Sequence, residues 1–208
     1  MISLSEVHKT LAYYFTQPLV RLLAKTPITP NTLTWLGLLV AVGAAVLIST
    51  GHPFAAGFVV LIGGLFDMLD GALARVTNRT TRFGAVLDST LDRLTEAVVL
   101  IGILVFYAKG QSVVGIAREQ PVIGILVVGV AWLGSLLVSY IRARAEALGI
   151  ECQVGLFTRA ERVVILALGL LLSQFDSALL IALAIIAVLS FVTAGQRLLY
   201  VWQQTKTR

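Results

Sequence analysis

The sequence predicts an all-α integral membrane protein: six transmembrane helices preceded by an N-terminal amphipathic interfacial helix. Three observations carry that expectation. Hydrophobic residues make up 58% of the 208-residue chain and charged residues only 13%, where a soluble domain has about a quarter charged. Mean hydropathy is +0.92. The apolar residues gather into six long blocks between short charged stretches. At about 20 residues per crossing of a hydrocarbon core about 30 Å thick, six crossings take up most of the chain. This balance excludes a water-soluble globular protein, a disordered chain and a nucleic-acid-binding domain. The single Cys152 has no disulfide partner, and His8 and His52 stand far apart, so no zinc centre is expected.

The elements follow in order. Ser3 to Ala24 opens with Ser3-x-x-Glu6, the pattern of a capping box. Leu4, Val7, Leu11, Tyr14 and Phe15 then recur near helical spacing, which predicts an amphipathic helix in the interface. The segment lacks the apolar stretch and small-residue cleavage site of a signal peptide, so it is expected to stay in the mature protein. The chain thus divides into a juxtamembrane helix over 1–25 and a six-helix domain over 26–208. Residues 26–66 carry no charge, yet Gly51-His52-Pro53 breaks the run into helices over Leu33–Thr50 and Phe54–Arg75. Further helices are expected over Gly84–Lys109, Pro121–Ala147, Ala160–Phe175 and Ser177–Gln203. Six crossings put both termini and the loops around 75–83 and 142–162 on one side, with 14 of the 16 Lys and Arg residues. The positive-inside rule makes that side the cytoplasm and the chain a multi-pass protein of the cell membrane. A net charge of +5 suits anionic lipid head groups or phosphorylated substrates.

Four of the five aspartates are Asp67, Asp70, Asp88 and Asp92, all in or beside membrane helices. A carboxylate there costs several kcal/mol, about 2.5–3.5 on insertion scales, unless paired or coordinated. Asp67 and Asp70, three apart, share one helix face, and Gly84, Asp88 and Asp92, four apart each, share another. Carboxylates brought together repel, and divalent cations between the helices relieve this; oxygen ligation suits Mg²⁺, Mn²⁺ or Ca²⁺. The structural alternative pairs each aspartate with Arg75, Arg79, Arg82 or Arg93. Gly71 and Ala74 let a ligand or helix approach the backbone, and Arg75, one turn on, can neutralise a phosphate.

The run Asp67-x-x-Asp70-Gly71-x-x-Ala74-Arg75, eight residues, then Gly84-x-x-x-Asp88-x-x-x-Asp92 resembles the signature of the CDP-alcohol phosphotransferases at every fixed position. The six crossings and amphipathic start resemble that family too. The resemblance implies an enzyme of phospholipid synthesis, a phosphatidyltransferase that moves the phosphatidyl group of CDP-diacylglycerol onto an acceptor hydroxyl and releases CMP. It implies that Asp67, Asp70, Asp88 and Asp92 hold two Mg²⁺ ions, with Mn²⁺ as the other candidate, and that Asp92 is the catalytic base. It also implies contacts to the CDP-lipid from Pro30-Asn31-Thr32-Leu33, Asp70, Gly71, Ala74, Arg75, Thr81 and Gly84. Read alone, Thr29-Pro30-Asn31 is a helix start. A homodimer among membrane lipids is the implied assembly.

A second basic cluster comprises Arg142, Arg144, Arg159, Arg162 and Arg197. Arg144 and Arg159 are read equally well as snorkelling anchors. Arg197 follows 20 uncharged residues and has a further helical turn after it. Arg142, Arg162 and Arg197 resemble the acceptor-phosphate triad of the phosphatidylinositol phosphate synthase branch, which implies inositol phosphate as acceptor. Arg142 stands where that branch is expected to have lysine. Phosphatidylglycerophosphate synthase, with glycerol 3-phosphate as acceptor, is the alternative within the family. A divalent-cation transporter is the alternative outside it, since intramembrane acids also build ion paths.

Overall fold

A computed structural model of the chain describes residues 17–110, 121–175 and 177–206, which are helices and short connections without any strand. Six long helices are α1 (Pro30–Ser49), α2 (Pro53–Val76), α3 (Arg82–Ala108), α4 (Pro121–Ala147), α5 (Arg159–Leu171) and α6 (Ala178–Lys206). The expected interfacial helix lies outside the described residues up to residue 16. Residues 17–23 are helical, and Val20 packs with Leu33, Leu69 and Leu73 against the base of α1 and α2.

The starts follow from local chemistry. Thr29 caps α1, its side chain accepting from the Thr32 N–H, and Pro30 fills the first turn, where no N–H is needed. Pro53 does the same for α2. Thr81 accepts from the Gly84 N–H at 2.9 Å and starts α3. Each helix therefore begins within three residues of the expected position.

One expectation needs correction. The fifth helix ends at Leu171 rather than Phe175, because the chain tightens into turns there, with Ser173 N–H bonded to Leu170 O and Phe175 N–H to Leu172 O. Its 13 residues rise about 20 Å and make it the shortest of the six. Four helices, α1, α2, α4 and α6, are long and apolar enough to cross a membrane. α3 has the length but carries Asp88, Asp92, Arg93 and Glu96 within it. The chain is a membrane protein.

The helices close into a ring. α1 packs on α2 and α3, α3 on α4, α4 on α6, α6 on α5, and α5 on α2. The acid-bearing α2 and α3, though consecutive, face each other across the interior instead of packing closely. The core runs along the ring from Ala44 and Ile48 of α1 through Ile103 of α3 and Val128 of α4 to Leu170 and Leu183. Contacts are tight where α1 meets α3: a Cβ on Gly102 would lie 2.7 Å from Ala45 Cα and 2.8 Å from Ala45 O. Gly102→Ala is therefore expected to cost about 1–3 kcal/mol by overpacking, seen as a lower melting temperature in detergent. Gly129, with nothing near its missing Cβ, should accept the same change without loss.

Candidate active site

Three clefts among the helices, of about 60, 170 and 110 Å³, gather most of the predicted residues. The first is the interior, between α1, α2, α3, α5 and α6. Asp67, Asp70 and Asp92 stand on its wall above an apolar floor that includes Ala41, Val60, Leu100 and Leu166. Oxygens of Asp67, Asp70 and Asp88 lie within 4.8 Å of one another. Asp70 is only 3% exposed, and its Oδ2 has no hydrogen-bond partner. A buried carboxylate oxygen without a donor is costly. A divalent cation with oxygen ligands satisfies it, so these residues fit the metal site expected of them.

Asp92 stands apart from that triad. Its Oδ1 lies 2.9 Å from Arg159 Nη1, at an angle that leaves the oxygen without a hydrogen bond. Arg159 Nη1 also pairs with Asp67 Oδ2, and Nη2 donates to Thr95 Oγ1 at 3.0 Å. Among the described residues, then, the arginine paired with the aspartates is Arg159, from another helix. Arg75, Arg79, Arg82 and Arg93 make no such pair, and Arg93 donates to Ser89 O.

The second cleft opens beside Asp70 and Asp88. Its walls hold Pro30, Asn31, Gly71, Ala74, Arg75, Thr81 and Gly84, joined by Thr34, Arg79 and Thr80. Here Gly84 has a reason: a Cβ would sit 2.9 Å from Thr81 Oγ1 and 3.5 Å from Asn31 Oδ1. Thr32 and Leu33 do not line this cleft. The Thr32 hydroxyl shares a hydrogen bond of 2.8 Å with Thr29, and Leu33 is buried against Val20, Leu69 and Leu73.

The third cleft gathers Arg142, Arg162 and Arg197 with Asp92, Glu96, Ser139 and Arg159. The three predicted arginines converge from α4, α5 and α6, but they are held differently. Arg162, 3% exposed, donates Nε to Glu96 Oε1 at 2.8 Å and Nη2 to Glu96 Oε2 at 3.1 Å. Arg197 donates Nε to Val154 O at 2.9 Å and Nη1 to Val138 O at 2.5 Å. Arg142 makes an exposed pair with Glu146 at 2.8 Å.

The CDP-alcohol phosphatidyltransferase family profile matches residues 27–196, which takes in every lining residue of the three clefts except Arg197. The chain belongs to that family. Archaetidylinositol phosphate synthase of Methanothermobacter thermautotrophicus is 39% identical over 176 residues, 84% of this chain and 83% of that one. Phosphatidylinositol phosphate synthase of Mycobacterium marinum is 40% identical over 195 residues, 90% of this chain and 79% of that one. The crystal structure of Mycobacterium tuberculosis phosphatidylinositol phosphate synthase with CDP-DAG bound superposes with a TM-score of 0.78 at 37% identity, covering 90% of this chain and 93% of that one. The same enzyme in complex with manganese and citrate gives 0.78 at 38% identity, covering 90% and 88%. As a family member the protein is a transferase.

In this phosphatidyltransferase sequence reasoning missed Glu96, and it read Arg159 as one of a basic cluster without its pairing to the aspartates. Glu96 continues the four-residue spacing of Gly84, Asp88 and Asp92, and that signal would have found it. Arg159 left no such trace, because its partner Asp67 is 92 residues away. Thr34, on both the interior and the second cleft, is a polar residue in an apolar helix whose hydroxyl donates to Pro30 O at 3.1 Å.

Proposed function

We propose that this enzyme is a phosphatidylinositol phosphate synthase, transferring the phosphatidyl group of CDP-diacylglycerol to a hydroxyl of inositol phosphate with release of CMP. The order of the clefts carries the reading. Asp70 is common to the second cleft and the interior, while Asp92, Glu96, Arg159 and Arg162 are common to the interior and the arginine cleft. The acids thus separate a cleft fit for the cytidine diphosphate from a basic one fit for a second phosphate.

In this reading Asn31, Gly71, Arg75, Thr81 and Gly84 bind the CDP part, and Arg142, Arg162 and Arg197 fix the acceptor phosphate. Asp92 is the base. Its Oδ1 takes the proton of the acceptor hydroxyl as that oxygen bonds to the β-phosphorus, and the bond from that phosphorus to the CMP oxygen breaks in line. Asp67, Asp70 and Asp88, with Asp92, would hold two Mg²⁺ ions, which when bound offset the diphosphate charge and stabilise departing CMP. Orientation of the acceptor by three arginines supplies the positioning such transfers need.

Six crossings complete the topology, with α3 and the short α5 crossing inside the ring, both termini and all three clefts facing the cytoplasm, and a homodimer as the assembly. The basic residues at the cleft ends of the helices support that orientation.

CMP release by the purified protein in detergent tests the reading. With CDP-diacylglycerol and Mg²⁺, release is expected with inositol phosphate and not with glycerol 3-phosphate, inositol or serine. Chelation should stop it, and Mg²⁺ or Mn²⁺ should restore it. Release with glycerol 3-phosphate instead would keep the aspartate chemistry and overturn the acceptor.

A further inference from the structure

Arg159 is the first residue of α5, directly after its N-cap Thr158. The positive end of the helix dipole disfavours a cation there. Within the first turn Glu161 is the one acid, and its Oε2 already accepts from both the N–H and the hydroxyl of Thr158. What holds Arg159 therefore comes from α2 and α3: Asp67, Asp92 and Thr95. Its Nε is buried with no partner, so the guanidinium meets its acids at the cost of one orphaned donor. Asp67 belongs to two sets at once. It pairs with Arg159 and also forms, with Asp70 and Asp88, the group of oxygens within 4.8 Å.

An arginine and a divalent ion thus draw on one carboxylate. We propose that Arg159 is a positioning residue acting as an internal counter-cation, which balances Asp67 and Asp92 in the metal-free protein and yields Asp67 when divalent ions bind. The proposal rests on the metal reading of the acid site. A bound ion gains less from a carboxylate already neutralised, and it repels the guanidinium beside it. Metal affinity is therefore held down by Arg159, and metal-free stability is held up by it.

Mn²⁺ binding to the purified full-length protein, followed by electron paramagnetic resonance, and the melting temperature without metal test this together. Arg159→Gln is expected to bind Mn²⁺ about tenfold more tightly than wild type, which is about 1.4 kcal/mol. Its metal-free melting temperature should fall, and its rise on adding Mn²⁺ should be larger. Thr95→Val keeps the side-chain shape and removes only the anchor of Nη2, so Mn²⁺ affinity should rise about threefold through loss of that hydrogen bond. Equal or weaker Mn²⁺ binding in Arg159→Gln overturns the proposal; should that variant not fold, the same result in Thr95→Val does so. A wild-type chain that binds no Mn²⁺ removes the metal reading itself, and the proposal with it.

Discussion

Asp92→Asn is expected to cut CMP release by about 10²–10⁴-fold, the usual worth of a positioned general base, while CDP-diacylglycerol still binds. The amide keeps the shape of the carboxyl and its Oδ1, so the half-buried site between α3 and α5 stays filled. It cannot take a proton. Arg159 retains Asp67 and Thr95 as partners, and Asp67, Asp70 and Asp88 keep their grouping. Steady-state turnover should fall in kcat with little change in the donor KM, the pattern of an interaction made at the transition state. Turnover within tenfold of wild type would remove Asp92 from the role of base.

Arg162→Ala should have two effects that a second substitution separates. Arg162 is fully buried and forked onto Glu96 through two hydrogen bonds. Its removal strands a buried carboxylate, a change that costs about 3–5 kcal/mol of stability. It also deletes a charged donor from the arginine cleft, worth about 1.5–3 kcal/mol, so the acceptor KM should rise about 10–150-fold. Glu96→Gln combined with Arg162→Ala neutralises the stranded acid. Melting temperature should then recover most of the loss while the acceptor KM stays high and the donor KM stays within about threefold of wild type. If the pair of substitutions restored the acceptor KM, Arg162 would be structural and the acceptor phosphate would bind elsewhere. Arg142, exposed and tied only to Glu146, offers the same test without the stability cost.

The parts of the site that the sequence made legible are those with local spacing. Asp67 and Asp70, three apart on α2, and Asp88 and Asp92, four apart on α3, can only share faces once each segment is helical. Helix starts were legible because Thr29, Pro30, Pro53 and Thr81 act on their immediate neighbours. The end of α5 was not, since Leu172-Ser173-Gln174-Phe175 holds no Gly or Pro to stop a helix, and turn bonds end it there. Arg159 stood among several basic residues at a helix end, where anchoring reads as well as function. Its role depends on how α5 seats against α2, and no periodicity within either helix encodes that. Leu33 shows the opposite error: beside Asn31 in a motif, it turns away into a small apolar cluster because helix geometry points the two in different directions.

The ring closes late in the life of the chain. Asp67 is separated from Arg159 by 92 residues, so at about 5–20 residues per second the ribosome needs about 5–18 seconds to supply the second after the first. For that interval Asp67 and Asp92 stand without the guanidinium that pairs with them in the finished ring. The charge pairs that join α2 and α3 to α5 thus form only after more than three quarters of the chain has been made.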